Sequence, residues 1–264
     1  MSDADNPAAQ DWIVPSWSAP SDVAGLVTTR RGGASSGAYA SLNLGFATSR
    51  RASADDPAAI AVNRQRLLAR LPSPPVWLDQ VHGTAVVAVD ATNLAALRAQ
   101  PPQADAAITR ESDVVLAVLT ADCLPVALAS CDGSVLGIAH AGWRGLAQGV
   151  LDNTVSAMDV PADDIVAWLG PAIGPDAFEV GADVYAAFSD RDAGAALCFR
   201  STAPGKWHAD LYALARRRLR QLGVRSIEGG GFCTYSDAAT FFSYRRDGET
   251  GRMATLLWRR GHAG

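Results

Sequence analysis

Three side chains in this chain have the types and settings that metal or nucleophilic chemistry uses: His82 in DQVHG, Cys123 in TADCLP and His140 in IAHAG. Each closes an apolar run and has small or turn-forming neighbours. The separations, 82 to 123 and 123 to 140, are too wide for a zinc finger. Catalytic zinc sites do collect ligands from distant strands, and two imidazoles with one thiolate leave a fourth position for water or substrate. Zinc lowers the pKa of such a water to about 7. A thiolate ligand tempers that acidity, so a nearby carboxylate would help as proton acceptor. Asp122, beside Cys123, is taken as the catalytic candidate; Asp105 is a second, and both also suit structural roles. The competing chemistry is a metal-free nucleophile, Cys123 with His140 as its base. Spacing allows both, and the third ligand-type residue, His82, favours metal. A buried Cys and a buried His in a β core explain either residue alone, but not the set as well.

Such side chains need rigid elements behind them. Val114 to Thr120, Pro125 to Ser130 and Val135 to His140 read as strands, rich in Val, Leu and Ile. Asp132-Gly133 between the last two is a hairpin signal. Cys123 then falls just past one strand and His140 at the end of another. Gly25 to Arg30, Val76 to Val81, Ala85 to Val89, Ala106 to Thr109 and Ile165 to Leu169 are predicted as further strands. Thr240 to Arg246 and Ala254 to Arg260 are predicted as a closing strand pair across Asp247-Gly248. Helices are expected after Asp56-Pro57, as N-cap and first helical residue, and after Trp143-Arg144-Gly145. Others are expected around Val184 to Phe188 and along Leu211 to Leu222, opened by His208 and stopped by Gly223. The run Arg216-Arg217-Arg218 reads as a solvated side of that last helix. Strands and helices mix without strict alternation, which points to an α+β class with layered sheets.

Several basic and polar residues are candidate substrate or phosphate contacts. Arg144 precedes a helix whose N-terminus would favour an anion. Arg30, Arg245 and Arg246 close strands. Gln80 shares a strand side with His82. Asn43 lies in Leu42-Asn43-Leu44-Gly45. Tyr244, with Phe241 and Phe242, can stack on a flat ring, although aromatic strand residues are more often core. The Gly/Ser loop from Arg31 to Gly37 reads as a plain surface loop.

Composition narrows the class. The chain has 264 residues, 48% hydrophobic and 19% charged, with a formal net charge of -4. No global basic field invites nucleic acid. No apolar run approaches the ~18 residues that span a bilayer. The polar, acidic start MSDADNPAAQDW lacks the pattern of a secretory signal and is expected to be a loose tail over residues 1–12. Four cysteines, Cys123, Cys131, Cys198 and Cys233, are too few for a disulfide scaffold, so a reducing cytoplasm is the expected location.

The segments VWLDQVHG, ADAAIT, LTADCLPV, AHAGWRGL, WLGPAIGPDAFEVG and CTYSDAATFFSYRRDGETGRMA closely resemble one family. The chain looks like the YfiH-type laccase-domain proteins, also called peptidoglycan editing factor or purine nucleoside phosphorylase and once described as multicopper polyphenol oxidase. The likeness runs from about Ile13 to Trp258. It departs at Phe46 to Ala54, where the family usually has a His and a Gly-Asp pair. The resemblance implies a single catalytic domain over 13–260, layered α/β/β/α and related to the cysteine-hydrolase domain of cytotoxic necrotizing factors. It implies a metal, usually zinc, on His82, Cys123 and His140; copper would suit the same site.

For activity the resemblance implies phosphorolysis of adenosine, inosine and S-methyl-5'-thioadenosine, with adenosine deamination. The small-molecule partners would then be a purine nucleoside and phosphate. The alternative it carries is peptidoglycan precursor editing, an amidase that removes L-Ser from UDP-MurNAc-L-Ser. Copper-dependent phenol oxidation is disfavoured by counting. Multicopper oxidases bind their coppers largely through imidazoles, and the chain has four histidines, of which His208 and His262 are peripheral. A non-enzymatic structural zinc is disfavoured because only three ligands are visible.

Overall fold

A computed structural model describes residues 12–46 and 55–261 of the chain. The expected N-terminal tail up to residue 11, positions 47–54 of the divergent loop and His262 lie outside the described residues. In chain order the elements are β1 (Val23–Val27), α1 (Pro57–Leu68), β2 (Val86–Val89), α2 (Leu94–Ala99), β3 (Ala106–Thr109), β4 (Leu116–Thr120), β5 (Leu124–Ser130) and β6 (Leu136–Ala141). Then come α3 (Trp143–Gln148), α4 (Val150–Met158), β7 (Ile165–Leu169), β8 (Glu179–Gly181), α5 (Ala182–Ser189), β9 (Phe199–Ala203) and β10 (Lys206–Ala209). The chain closes with α6 (Leu211–Leu222), β11 (Ser226–Gly229), α7 (Tyr244–Asp247) and β12 (Met253–Arg259).

The strands form three sheets, ordered β11-β7-β5-β6-β3-β2, β1-β12-β4 and β8-β10-β9. The fold is therefore mixed α/β, as the mixed pattern of elements predicts. In the largest sheet the β2/β3 and β7/β11 pairs are parallel and the inner pairs antiparallel. The inner strands are continuously apolar because both faces are covered. Leu124, Val126 and Leu128 of β5 join Ala167 and Leu169 of β7 beneath Leu151 and Val155 of α4 and Leu214 of α6. The alternate residues Ala127, Ala129, Val166 and Trp168 meet Leu116 and Val118 of β4 and Leu257 of β12. On the other side of β4 and β12, Ala117, Leu119, Ala254 and Leu256 pack with Leu67 of α1. The two-residue alternation of each strand thus feeds two different cores.

The β5–β6 hairpin forms as predicted, with Gly133 at φ 71 in the turn. Asp56 caps α1, accepting from the Ala58 amide, and Gly223 ends α6 in the left-handed conformation. Five expectations are corrected. Thr240 to Arg246 forms no strand. Phe241 and Phe242 are buried with Met253, and the chain turns at Ser243, which caps the short α7 by accepting from the Arg246 amide. Strand β12 pairs instead with β1 and β4. Val76 to Val81 makes only one bridge, Val76 with Leu116. His208 lies in β10 rather than opening a helix, because Asp210 sets the start of α6 by accepting from the Ala213 amide. The helix expected after Gly145 is two, broken at Gly149 with φ 105. The run on α6 is also more than a solvated face: Arg216 donates to the Ile227 and Gly229 carbonyls, Arg217 pairs with Asp192 and Arg218 with Asp152. Among the described residues no helix is long and apolar enough to cross a membrane.

Candidate metal centre

Strand β4 belongs to one sheet and β5 to another, yet only Ala121, Asp122 and Cys123 separate them. So short a crossing needs a sharp turn, and Asp122 supplies it at φ 88, a conformation that Asp tolerates better than most residues. Cys123 therefore stands at the seam between the two sheets. In the β5/β6 ladder Leu124 faces Ala141 and Pro125 faces His140. Continued by one step, that register sets Cys123 opposite Gly142. A Cβ on Gly142 would come within 3.0 Å of both the Cys123 Sγ and the His82 Cδ2, so only glycine leaves the space.

His140 is fixed from the other neighbour of β6. Its amide donates to the Asp105 carbonyl at 2.7 Å, which puts Asp105 directly across the ladder. Side chains opposite one another on antiparallel strands meet, and His140 Nδ1 lies 2.8 Å from Asp105 Oδ1. Asp105 is fully buried and also accepts from the amides of Val81, His82 and Gly83 at 3.1, 2.9 and 2.6 Å. Those bonds hold His82 at φ 61, the left-handed region that a side chain enters at some cost. One carboxylate thus fixes the His140 imidazole and the His82 backbone.

The result is a cluster. The ligand atoms of His82, Cys123 and His140 lie within 4.8 Å of one another. His82 Nε2 is 3.7 Å from the Cys123 Sγ, and the two imidazole rings are 4.8 Å apart, edge to face. Tetrahedral zinc with ordinary Zn–S and Zn–N bonds sets sulfur and nitrogen about 3.5 Å apart, so the donors fit an ion with small adjustments. Asp105 engages His140 through Nδ1 and leaves Nε2 for the cluster, the carboxylate–imidazole arrangement usual behind metal ligands. Among the described residues this is the one such grouping of His, Cys, Asp and Glu.

Electrostatics bind the group further. Burial disfavours charge on both Cys123 and His140, but each overrides it for the other. The His140 charge and its hydrogen bond, with help from His82, bring the thiol well below its ordinary value. The Cys123 charge and the Asp105 hydrogen bond bring the imidazole above its own. A bound metal would compete with protons for the same sulfur and nitrogen atoms. Burial likewise opposes charge on Asp105, yet the His140 bond and the Gly83 and Val81 amides leave its carboxyl below the usual range.

The cluster opens into a cavity of about 1190 Å³. Of the remaining predicted residues, Arg144, Tyr244 and Arg245 line it. Arg144 is exposed and lies over the Trp143 ring at 4.4 Å, while α3 behind it is only six residues long. Tyr244 is 61% exposed. Arg245 donates Nη1 to the Glu179 carbonyl and lies 5.1 Å over the Phe178 ring. Gln80 and Asn43 also touch the cavity but are anchored in the backbone. Gln80 pairs with Leu119 like a neighbouring strand, at 2.8 and 2.7 Å. Asn43 Oδ1 accepts from the amides of Gly45 and Arg252. Arg30 is not on the cavity wall: it donates to the Ala40 and Ala238 carbonyls and lies over Phe242. Arg246 staples its own loop through the carbonyls of Thr234, Tyr235 and Phe241. Asp122 is 8% exposed, and its two oxygens accept from the Thr234 hydroxyl and the Arg245 amide, while its carbonyl accepts from the Ile173 amide. It gathers three loops of the rim, which is a positioning task. Of the two carboxylates singled out in the sequence, Asp105 meets a ligand-type side chain, His140, and Asp122 meets the rim. Sequence reasoning passed over Arg252, which lines the cavity two residues before the buried Ala254.

These features define a mixed α/β protein with a thiol–imidazole cluster, able to hold a metal ion, at the floor of a cleft between sheets. The chain belongs to the multi-copper polyphenol oxidoreductase laccase family, whose model it matches over residues 24–260. It is 52% identical over 253 residues to a purine nucleoside phosphorylase of Xylella fastidiosa, covering 94% of this chain and 96% of that one. It is 48% identical over 248 residues to the purine nucleoside phosphorylase YfiH of Escherichia coli, covering 93% and 98%. Among solved structures, a Neisseria meningitidis protein superposes with a TM-score of 0.89 at 47% identity, covering 95% of this chain and 100% of that one. YlmD of Geobacillus stearothermophilus gives 0.83 at 33% identity, covering 91% and 93%. The resemblance to the YfiH-type laccase-domain proteins is thereby shown.

Proposed function

We propose that this chain is a zinc-dependent purine nucleoside phosphorylase that acts on adenosine, inosine and S-methyl-5'-thioadenosine and also deaminates adenosine. The observation that carries the reading is the convergence of His82, Cys123 and His140 on the floor of a cavity with arginines on its wall. The names of the Xylella and Escherichia relatives support the substrate class. Phosphorolysis replaces a glycosidic C–N bond by a C–O bond to phosphate, so it needs a flat wall for the base, cations for the phosphate and a polarising group. Phe178 and Tyr244 offer ring faces on the wall. Arginine guanidinium is suited to phosphate oxygens in paired contacts. Zinc, when bound, supplies Lewis acidity that copper in the same site would supply differently. With Asp105 bonded at Nδ1, His140 would hold the ion through Nε2. A multicopper assembly would need more imidazoles than the single cluster of the described residues contains.

A second reading, amide hydrolysis on a UDP-MurNAc-L-Ser precursor, is favoured by the cavity's size and by the lowered Cys123 thiol beside His140. The proposal also takes 13–260 as one catalytic domain, in keeping with the family match. It takes the cytoplasm as its location, in keeping with four unpaired cysteines. The order of packed faces supports the α/β/β/α layering, and the thiol at the seam supports kinship with the cysteine hydrolases. The test is a substrate panel with purified protein. Phosphate-dependent release of hypoxanthine from inosine, lost in Cys123→Ala along with bound zinc, is expected. Clean release of L-Ser from UDP-MurNAc-L-Ser with no base or ammonia from nucleosides would reverse the ranking.

A further inference from the structure

The arginines near the cluster differ in what already holds them. Arg144 is solvent-exposed over Trp143, Arg245 is turned to the Glu179 carbonyl, and Arg30 is off the wall. Arg252 is different. It lines the cavity half-buried, just before β12, in the stretch GETGRMA. Its amide is held by Asn43 Oδ1 at 2.9 Å, and its Nη1 donates to the Thr250 and Gly251 carbonyls at 2.8 and 2.9 Å. One tip of the fork is therefore fixed. Among the described residues no carboxylate pairs with it and no acceptor meets its Nε or Nη2; neither nitrogen is among the sealed-off polar atoms without a partner. Burial pushes the guanidinium below its ordinary value, offset in part by Cys123 and Asp122. The protein thus anchors a positive charge on a half-buried stretch of the cavity wall and leaves two of its guanidinium nitrogens without a protein acceptor among the described residues, so they are free to meet an anion.

We propose that Arg252 is the binding residue for a phosphate-type dianion in this cavity, and that Arg144 and Arg30 are not. The inference deepens the phosphorolysis reading by assigning the second substrate a place on the Cys123 side of the cleft. The same chemistry would serve the diphosphate of a nucleotide-linked precursor, so the two sources need separate arms. Unlike Arg144, Arg252 gives up little side-chain freedom on binding, because the backbone carbonyls already hold one nitrogen.

The experiment titrates inorganic phosphate and, separately, UDP into the zinc-loaded full chain by calorimetry, for wild type, Arg252→Gln, Arg252→Lys and Arg144→Gln. Phosphate binding weakened about ten- to a hundredfold in Arg252→Gln is expected, with a smaller loss in Arg252→Lys, which keeps the charge but not the fork. Arg144→Gln should stay within about twofold of wild type. With inosine as co-substrate, Arg252→Gln should raise KM for phosphate and leave KM for inosine unchanged. Zinc content and melting temperature are read on each variant, and Arg252→Lys decides if the Gln variant does not fold. Loss of UDP binding alone in the Arg252 variants would support the residue's role and assign the dianion to the precursor reading. Undiminished binding in both Arg252 variants, a larger loss in Arg144→Gln, or no binding of either probe to wild type would overturn the proposal. Absence of phosphorolysis with phosphate binding intact would sink the function and spare Arg252.

Discussion

Two sets of aspartates in this molecule are held in opposite ways. At the seam, Asp105 and Asp122 are buried and collect backbone amides as well as side chains. On the outer flank of α6, Asp192 and Asp152 meet Arg217 and Arg218 in partly exposed ion pairs. The flank pairs join elements already packed by apolar contacts, and water screens them. The seam carboxylates do something no apolar contact can do. They stabilise left-handed backbone at His82 and make or gather the turns that aim the cluster. The lesson is that the stability of the site and the stability of the fold rest on different groups, and substitutions should separate them.

The sharpest separation is expected from Asp105→Asn. The amide cannot accept from three backbone donors and also charge-pair with His140, and breaking a buried pair costs roughly 3 kcal/mol or more. Urea unfolding should show that loss, and zinc affinity should fall about 10- to 100-fold. Acid sharpens the point. The folded carboxyl titrates below the unfolded value of about 3.9, so its stabilisation is present above about pH 4 and disappears as pH falls through the folded value. The variant should lack that part of the acid transition. Next comes Asp122→Asn, which keeps a residue tolerant of φ 88 but weakens the bonds to Thr234 and the Arg245 amide. A loss of about 1–2 kcal/mol is expected, with zinc binding nearly unchanged, since the rim and not the ligands would loosen. Gly142→Ala should cost about 1 kcal/mol at the start of α3; its Cβ presses on Cys123 and His82, so zinc retention should drop out of proportion to melting temperature. Smallest is Arg218→Ala on the flank, where less than about 1 kcal/mol and no change in zinc or turnover are expected. Equal effects on metal at seam and flank would dissolve the contrast.

What could be read beforehand follows the same division. The β5–β6 hairpin, the cap at Asp56 and the stop at Gly223 are local, and local chemistry announced them. Cys123, His140 and His82 showed themselves by residue type at the ends of apolar runs. Asp105 looked like a turn residue because its meaning lies in the β3–β6 register, a pairing between segments over thirty residues apart that no local pattern encodes. Phe241-Phe242 read as strand because apolar runs of that length suit either outcome. The small sheet of β8, β9 and β10 escaped because its strands are short and largely exposed, with little alternation to detect. Arg252 was hidden by sharing a stretch with Arg245 and Arg246; only the contacts distinguish an anchored, unmatched guanidinium from a staple.

The three-residue passage from β4 to β5 has one more consequence. Because the thiol is bolted to both sheets at once, its position relative to His140 is set by how the two layers seat on each other. The rim loops reach that junction mainly through Asp122. New loops could be grafted around the mouth to admit different guests while the chemistry underneath kept its alignment, whereas a slight slip between the layers would silence every guest together.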